Sequence, residues 1–291
     1  MNIKLDKGEY RKYAKSLLRS DKSHIYRECG NFEDFYDIYR DWSETYLEYD
    51  IDMEDMEVTY DDEEAAEAVI NLAFGNPNLE ITPEMRKFLE YIYECAIEAG
   101  DTKAMESYGN LCYSGRLGVQ DFNKAKDLYE MAVAHGLEES LVNLGYIYYY
   151  GRCGEPDYQK AYECFSKYAL IADDTQSYYK LADLYFHGRY VQEDKIYAYR
   201  LLCKALAIET DKPEGETDAR SLSGIFKRLA DCMYYGLGTE IDYDSALMTY
   251  HNAEHSYYEL LKMGDTMVRN LYDESIEMQD KCREKLAMDL K

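Results

Sequence analysis

Two short stretches hold residue types that could do chemistry. "HNAEH", residues 251–255, sets His251 and His255 one helical turn apart with Glu254 between them. That is the H-x-x-E-H pattern in which two imidazoles bind zinc beside a general base. "SYYK", residues 177–180, has the S-x-x-K spacing in which a lysine lies one turn from a serine nucleophile. Neither stretch has its complement. No S-D-N or K-T-G accompanies Ser177, and no Gly-rich phosphate loop or Cys/His nucleophile pair is present. His24, His135 and His187 stand alone in the sequence. The cysteines at 29, 95, 112, 153, 164, 203, 232 and 282 form no C-x-x-C pair. Most lie in apolar helical patterns, where a thiol behaves as a small hydrophobe. The expectation is a protein with no catalytic residue, no metal site and no cofactor.

Composition narrows the partners. The chain has 291 residues, with 58 acidic against 33 basic and a net charge of −25. Such a balance repels phosphate backbones and anionic lipid, which argues against nucleic acid and membranes as partners. It favours a protein, and a basic protein patch in particular. The first residues, "MNIKLDKGEYRKYAK", contain no apolar run of signal-peptide type, and no stretch reaches membrane-spanning length. The expected location is the cytoplasm.

The elements that must position any functional residue show themselves as a period. "AMESYGNLCYSGRLGVQDFNKAKDLYEMAV", from 104, aligns at a step of 36 with "SLVNLGYIYYYGRCGEPDYQKAYECFSKYA", from 140. Gly109, Gly115, Gly118 and Asp121 fall on Gly145, Gly151, Gly154 and Asp157, and Tyr129 falls on Phe165. A step of 37 reaches "SYYKLADLYFHGRYVQEDKIYAYRLLCKAL", from 177, and a further 48 reaches "IFKRLADCMYYGLGTEIDYDSALMTYHNAE", from 225. "AIETDKPEGETDARS" accounts for the longer step and predicts a surface loop. A degenerate copy, "FLEYIYECAIEAG" at 88–100, precedes these.

Each unit predicts two helices. Leu144, Gly145, Ile147 and Tyr148 share one face of the first, which Gly151 ends in left-handed geometry. Asp121, Asp157, Asp194 and Asp242 stand at the N-cap of the second, whose inner face carries Ala161, Phe165 and Ala169. Gly or Ala at 109, 145, 182 and 230 lets the paired helices approach closely. In this register Ser177 is a packing residue, whereas His251 and Glu254 are solvent positions of a second helix.

The string L-G-x-x-Y-x-x-G, a short loop, Asp, an aromatic and Lys-Ala resembles the Sel-one-like repeat family, relatives of the tetratricopeptide repeats. "LGYIYYYGRCGEPDYQKA" carries it most fully. The resemblance implies an all-α, right-handed superhelical solenoid of antiparallel helix pairs. On this reading residues 1–61 form an N-terminal helical cap with an acidic, aromatic segment containing Trp42. Residues 62–256 form the array, divided as 62–100 (degenerate), 101–136, 137–173, 174–222 with the inserted loop, and 223–256. Residues 257–291 add a C-terminal cap, in which Val268, Leu271, Tyr272, Ser275, Met278, Cys282 and Leu286 recur at helical spacing.

The resemblance also implies a role: a non-enzymatic scaffold or adaptor binding a protein or extended peptide on the concave face. By the helical period, that face is the side of the first helices opposite the packing residues. Its expected members are Asn143, Tyr146 and Tyr150, then Asn110 and Ser114, then Lys180, Asp183 and His187, then Arg228, Asp231 and Tyr235. Tyr149 is expected at the edge of its helix. Two rival readings stand beside this one: an acidic inhibitor or immunity-type protein for a basic partner, and a zinc or β-lactam-recognising hydrolase.

Overall fold

The computed structural model describes residues 101–213 and 217–289, with Arg86, Glu90, Tyr93, Glu94, Ile97 and Gly100 before them. The expected N-terminal cap, Trp42 and most of the degenerate copy lie outside the described residues. Among those described, all regular structure is helical, arranged as the predicted helix pairs. Two compact units divide at Ser140 and Leu141.

The first unit contains α1 (Thr102–Ser114) and α2 (Phe122–Ala134). Gly109 lies under the ring of Tyr129, where an added Cβ would come 2.6 Å from Cε1. Tyr93 stacks on Tyr108 at 5.0 Å between ring centroids, and both are buried. The ammonium of Lys124 donates to the Tyr108 hydroxyl.

The second unit runs through α3 (Ser140–Tyr150), α4 (Tyr158–Ala172), α5 (Thr175–His187), α6 (Lys195–Thr210), α7 (Ala219–Tyr235), α8 (Tyr243–Lys262) and α9 (Arg269–Asp289). Its main core interleaves first- and second-helix residues, among them Phe165, Leu184, Leu202 and Ile225. Phe165 is fully buried against Gly145, whose absent Cβ leaves room for the ring. Truncating such a ring to alanine costs about 3–5 kcal/mol. Two smaller clusters, around Tyr250 with Cys282 and around Tyr257 with Val268, fasten α9 to α8.

Helix ends follow the predicted chemistry. The carboxylates of Asp121, Asp157, Asp194 and Asp242 accept from the backbone N–H of Lys124, Lys160, Tyr197 and Ser245. The N–H and hydroxyl of Ser245 together hold the Asp242 carboxyl below its ordinary range. Gly115, Gly151, Gly188 and Gly236 close the first helices at φ values of 71°, 59°, 61° and 67°. A second aspartate series, unread in the sequence, caps the first helices: Asp101, Asp174 and Asp218.

Four local expectations are corrected. Tyr149, expected at the edge, is buried, whereas Tyr148, expected in the core, is only half-buried. The inserted stretch is a loop only in its middle, since its ends, 207–210 and 219–221, belong to α6 and α7. The buried Glu209 carboxylate fastens the connection, accepting from the Asp218 N–H at 2.5 Å and from Lys212 Nζ at 2.6 Å. Leu271 is exposed rather than packed, while the rest of the predicted α9 stripe is buried or half-buried.

Candidate functional site

The first helices of the second unit place the expected face residues in two layers. Outermost are Tyr150 and Tyr235, 47% and 54% exposed, with the exposed His187 at the corresponding end of α5. Beneath them Lys180 and Asp183 are buried, and Tyr146, Arg228 and Asp231 are half-buried. Asn143 is half-buried on α3. In the first unit, Asn110 is half-buried and Ser114 is exposed, its hydroxyl turned back to the Leu111 carbonyl at 3.2 Å.

Lys180 organises the inner layer. Its ammonium donates to the Tyr150 hydroxyl at 2.8 Å. It also lies 4.8–5.4 Å from the ring centroids of Tyr146, Tyr149, Tyr150 and Tyr179. Aromatic faces attract a cation electrostatically, the more so when it is withdrawn from water. Asp183, one turn along α5, sits 3.6 Å from Lys180 and 3.1 Å from the Arg228 guanidinium of α7. Tyr149 donates to Asp183 at 3.5 Å and accepts from Arg189 at 2.6 Å. Burial and the Asp183 charge raise the Tyr179 phenol to about 12, so it stays neutral at physiological pH. Burial, then Arg189, lowers the pKa of His187 and favours its neutral form.

The register explains which face positions turn inward. Tyr129 of α2 donates to Asn110 of α1 at 2.6 Å, and Tyr250 of α8 donates to Asp231 of α7 at 2.6 Å. Asn110 and Asp231 are therefore acceptors for the paired helix's tyrosine. Phe165 and Leu202 occupy that tyrosine's position in the other two pairs and offer no hydroxyl. There the face residues are Tyr146, edge-on to Phe165 at 5.6 Å, and Asp183, bridging two cations. Tyr146 also stacks on Tyr150 at 6.1 Å and borders the main core.

The enzyme-like stretches fall elsewhere. Ser177 is buried, and its hydroxyl has no hydrogen-bond partner among the described residues. The Lys180 ammonium is instead engaged by Tyr150 and Asp183. His251 and His255 are exposed on α8, while Glu254 pairs with His251 at 3.4 Å and accepts from Gln279 at 2.7 Å. No group of three potential metal ligands is found among the described residues. Sequence reasoning missed Arg189, Tyr149 and Tyr179 as members of the network. The Gly-Arg pair at 115–116, 151–152 and 188–189 is a visible signal for the first of these.

The family model described as "Sel1 repeat" matches residues 102–137, 138–170, 175–207 and 227–248. Among solved structures, a Sel1 repeat protein from Oxalobacter formigenes superposes with a TM-score of 0.52 at 18% identity, covering 77% of this chain and 84% of that one. The likeness is one of fold. A protective antigen present in uropathogenic Escherichia coli strains, displaying an SLR fold, gives a TM-score of 0.46 at 16% identity, covering 97% and 69%. No curated protein matches the sequence.

Proposed function

We propose that this all-α chain, four stretches of which within residues 102–248 match the Sel1 repeat model, is a non-enzymatic scaffold. It binds a protein or extended peptide on the face built by α3, α5 and α7. Repeat proteins of this class are generally interaction scaffolds, and no helix among the described residues is long and apolar enough to cross a membrane. A cytoplasmic location suits the six described cysteines, all of which carry free thiols.

The observation that carries this reading is the row of exposed rings at one end of the three first helices. Tyr150, His187 and Tyr235 recur at the same register position. Tyr150 is held by a hydrogen bond to a buried lysine rather than left free to rotate. Rigid tyrosines give a partner large contact area at low entropic cost.

The test is partner capture by wild type and by Tyr150→Ala/Tyr235→Ala. The expected result is loss of captured partner with an unchanged helical spectrum. Leu170→Ala/Ile171→Ala is the control, since these exposed residues end α4, a second helix. Loss of capture in the control, with retention in the tyrosine variant, would refute the assignment of the face. Tyr146 is unsuitable for this test because its ring borders the core.

A further inference from the structure

We propose a second contact on this chain: a tyrosine patch that takes the Lys or Arg side chains of a partner protein. It is made of Tyr162 of α4, Tyr185 of α5, Tyr190 of the loop after α5, and Tyr197 of α6. None of these belongs to the row of Tyr150, His187 and Tyr235, and the proposal does not rest on the docking reading above.

Ring contacts join the four. Tyr185 meets Tyr197 edge-on at 4.7 Å between centroids and Tyr162 at 6.2 Å, and Tyr162 meets Tyr190 at 5.6 Å. The hydroxyls of Tyr162 and Tyr185 share a hydrogen bond at 3.4 Å. Tyr190 and Tyr197 are 55% and 43% exposed, and the other two rings are half-buried.

The repeat register shows what the patch lacks. In the preceding repeat, at a step of 37, Tyr148 holds the place of Tyr185 and Lys160 the place of Tyr197. There the Lys160 ammonium lies over the Tyr148 ring at 5.1 Å. Tyr185 has a ring beside it where Tyr148 has a cation. Other tyrosines of the second unit are also covered from within the chain, Tyr178 by Lys204 at 4.3 Å and Tyr158 by Arg189 at 5.2 Å. Among the described residues no Lys or Arg lies over any of the four rings of the patch. Arg189 is turned to Tyr149, and Lys195 pairs with Glu193 at 3.0 Å.

Tyr190 is the second observation. Its φ of 65° lies in the left-handed region, where a Cβ crowds the backbone, and Gly238 holds the same place in the following repeat at φ 80°. The chain thus carries a ring where glycine would sit without strain, a cost characteristic of functional positions. Neutral phenol faces attract a cation. The Tyr162 hydrogen bond, then burial, raises the Tyr185 phenol above its ordinary value, which keeps that ring uncharged. Asp194, which caps α6 through the Tyr197 N–H, brings its negative charge to bear on Tyr185. A cation suits both the rings and this carboxylate, and an anion suits neither.

The experiment uses the full chain and three fluorescent extended peptides of equal length, with Lys, acetyl-lysine or norleucine at the same positions. Acetylation removes the charge and keeps the stem. Fluorescence anisotropy is read at about 0.15 M salt, where diffuse attraction to a chain of −25 is screened. The Lys peptide is expected to bind at least about tenfold more tightly than either neutral peptide. Tyr190→Gly, which leaves the net charge and the helical spectrum unchanged, should weaken it by about threefold to fivefold. Tyr197→Lys supplies the ammonium that the preceding repeat holds over its ring, and should weaken it by about tenfold. Ile196→Lys makes the same change of charge one residue away and should weaken it by less than about twofold.

An affinity unmoved by Tyr190→Gly, or lowered equally by Tyr197→Lys and Ile196→Lys, would make the attraction one of net charge and overturn the inference. Tighter binding of either neutral peptide, or failure of the Lys peptide to bind, would overturn it as well. Tyr150→Ala/Tyr235→Ala should leave the Lys peptide's affinity unchanged. Loss there would assign the peptide to the face of α3, α5 and α7 and overturn the patch, while loss at the patch alone leaves the docking reading standing.

Discussion

Asp183 and Asp231 occupy the same position in successive first helices, yet they do different work. Asp231 faces a tyrosine of its paired helix and accepts the Tyr250 hydroxyl, with Lys227 at 3.0 Å. Asp183 faces Leu202, which offers nothing to accept, and bridges Lys180 to Arg228 instead. The residue behind the face thus decides whether an aspartate closes a repeat internally or joins neighbouring first helices through charge. One side chain in the second helix changes what the first helix presents.

The largest way to break this comparison is at the close approach beneath it. Gly145→Ala puts a methyl group 2.6 Å from the Phe165 ring and should destabilise the protein by about 2 kcal/mol in urea unfolding. Adding Phe165→Leu should recover about half of that loss, because Ala with Leu is the pairing that Ala182 and Leu202 already use. Recovery of nothing would mean that the two positions are not coupled.

Tyr250→Phe should cost about 1.5 kcal/mol, since it removes a hydrogen bond to a charged acceptor. Tyr129→Phe, which removes a bond to the neutral Asn110, should cost about 1 kcal/mol by the same measurement. Equal losses would blunt the distinction between the charged and neutral acceptors. Buried thiols add a pH dependence. Burial pushes Cys232 from 9.0 up to about 12, so the unfolded chain gives up this proton first. Stability should therefore fall as pH rises from about 9 towards 12, and Cys232→Ala should flatten that decline. A decline identical in the variant would assign it to the buried tyrosines.

The smallest expected effect is at Tyr190, a non-glycine residue at φ 65° in the loop after α5. Tyr190→Gly relieves a left-handed conformation but loses the ring's contact with Tyr162 at 5.6 Å. A net gain of about 0.5 kcal/mol is expected from the melting curve.

Much of this architecture was legible in the sequence because it repeats. Gly151 and Asp157 read as a helix stop and a cap on the strength of their counterparts, and each does that work. The face was only half legible. Its period put Lys180 and Asp183 on the outward side of α5, but a helical wheel does not show that both are buried there. Tyr148 and Tyr149 were exchanged for the same reason. Tyr149 leads the wheel outward, but Tyr158, Arg189 and Asp183, on three other elements, enclose it. Those contacts span as many as 40 residues of sequence, beyond what a local pattern records.

A backbone-amide NMR titration of the full chain with the binding segment mapped from a captured partner tests the central claim, the docking face, most directly. Shift changes are predicted at Tyr150, His187 and Tyr235, with α4 and α6 unmoved and the response lost in Tyr150→Ala/Tyr235→Ala. Changes centred on α4 and α6, or a response that survives this double substitution, would contradict it.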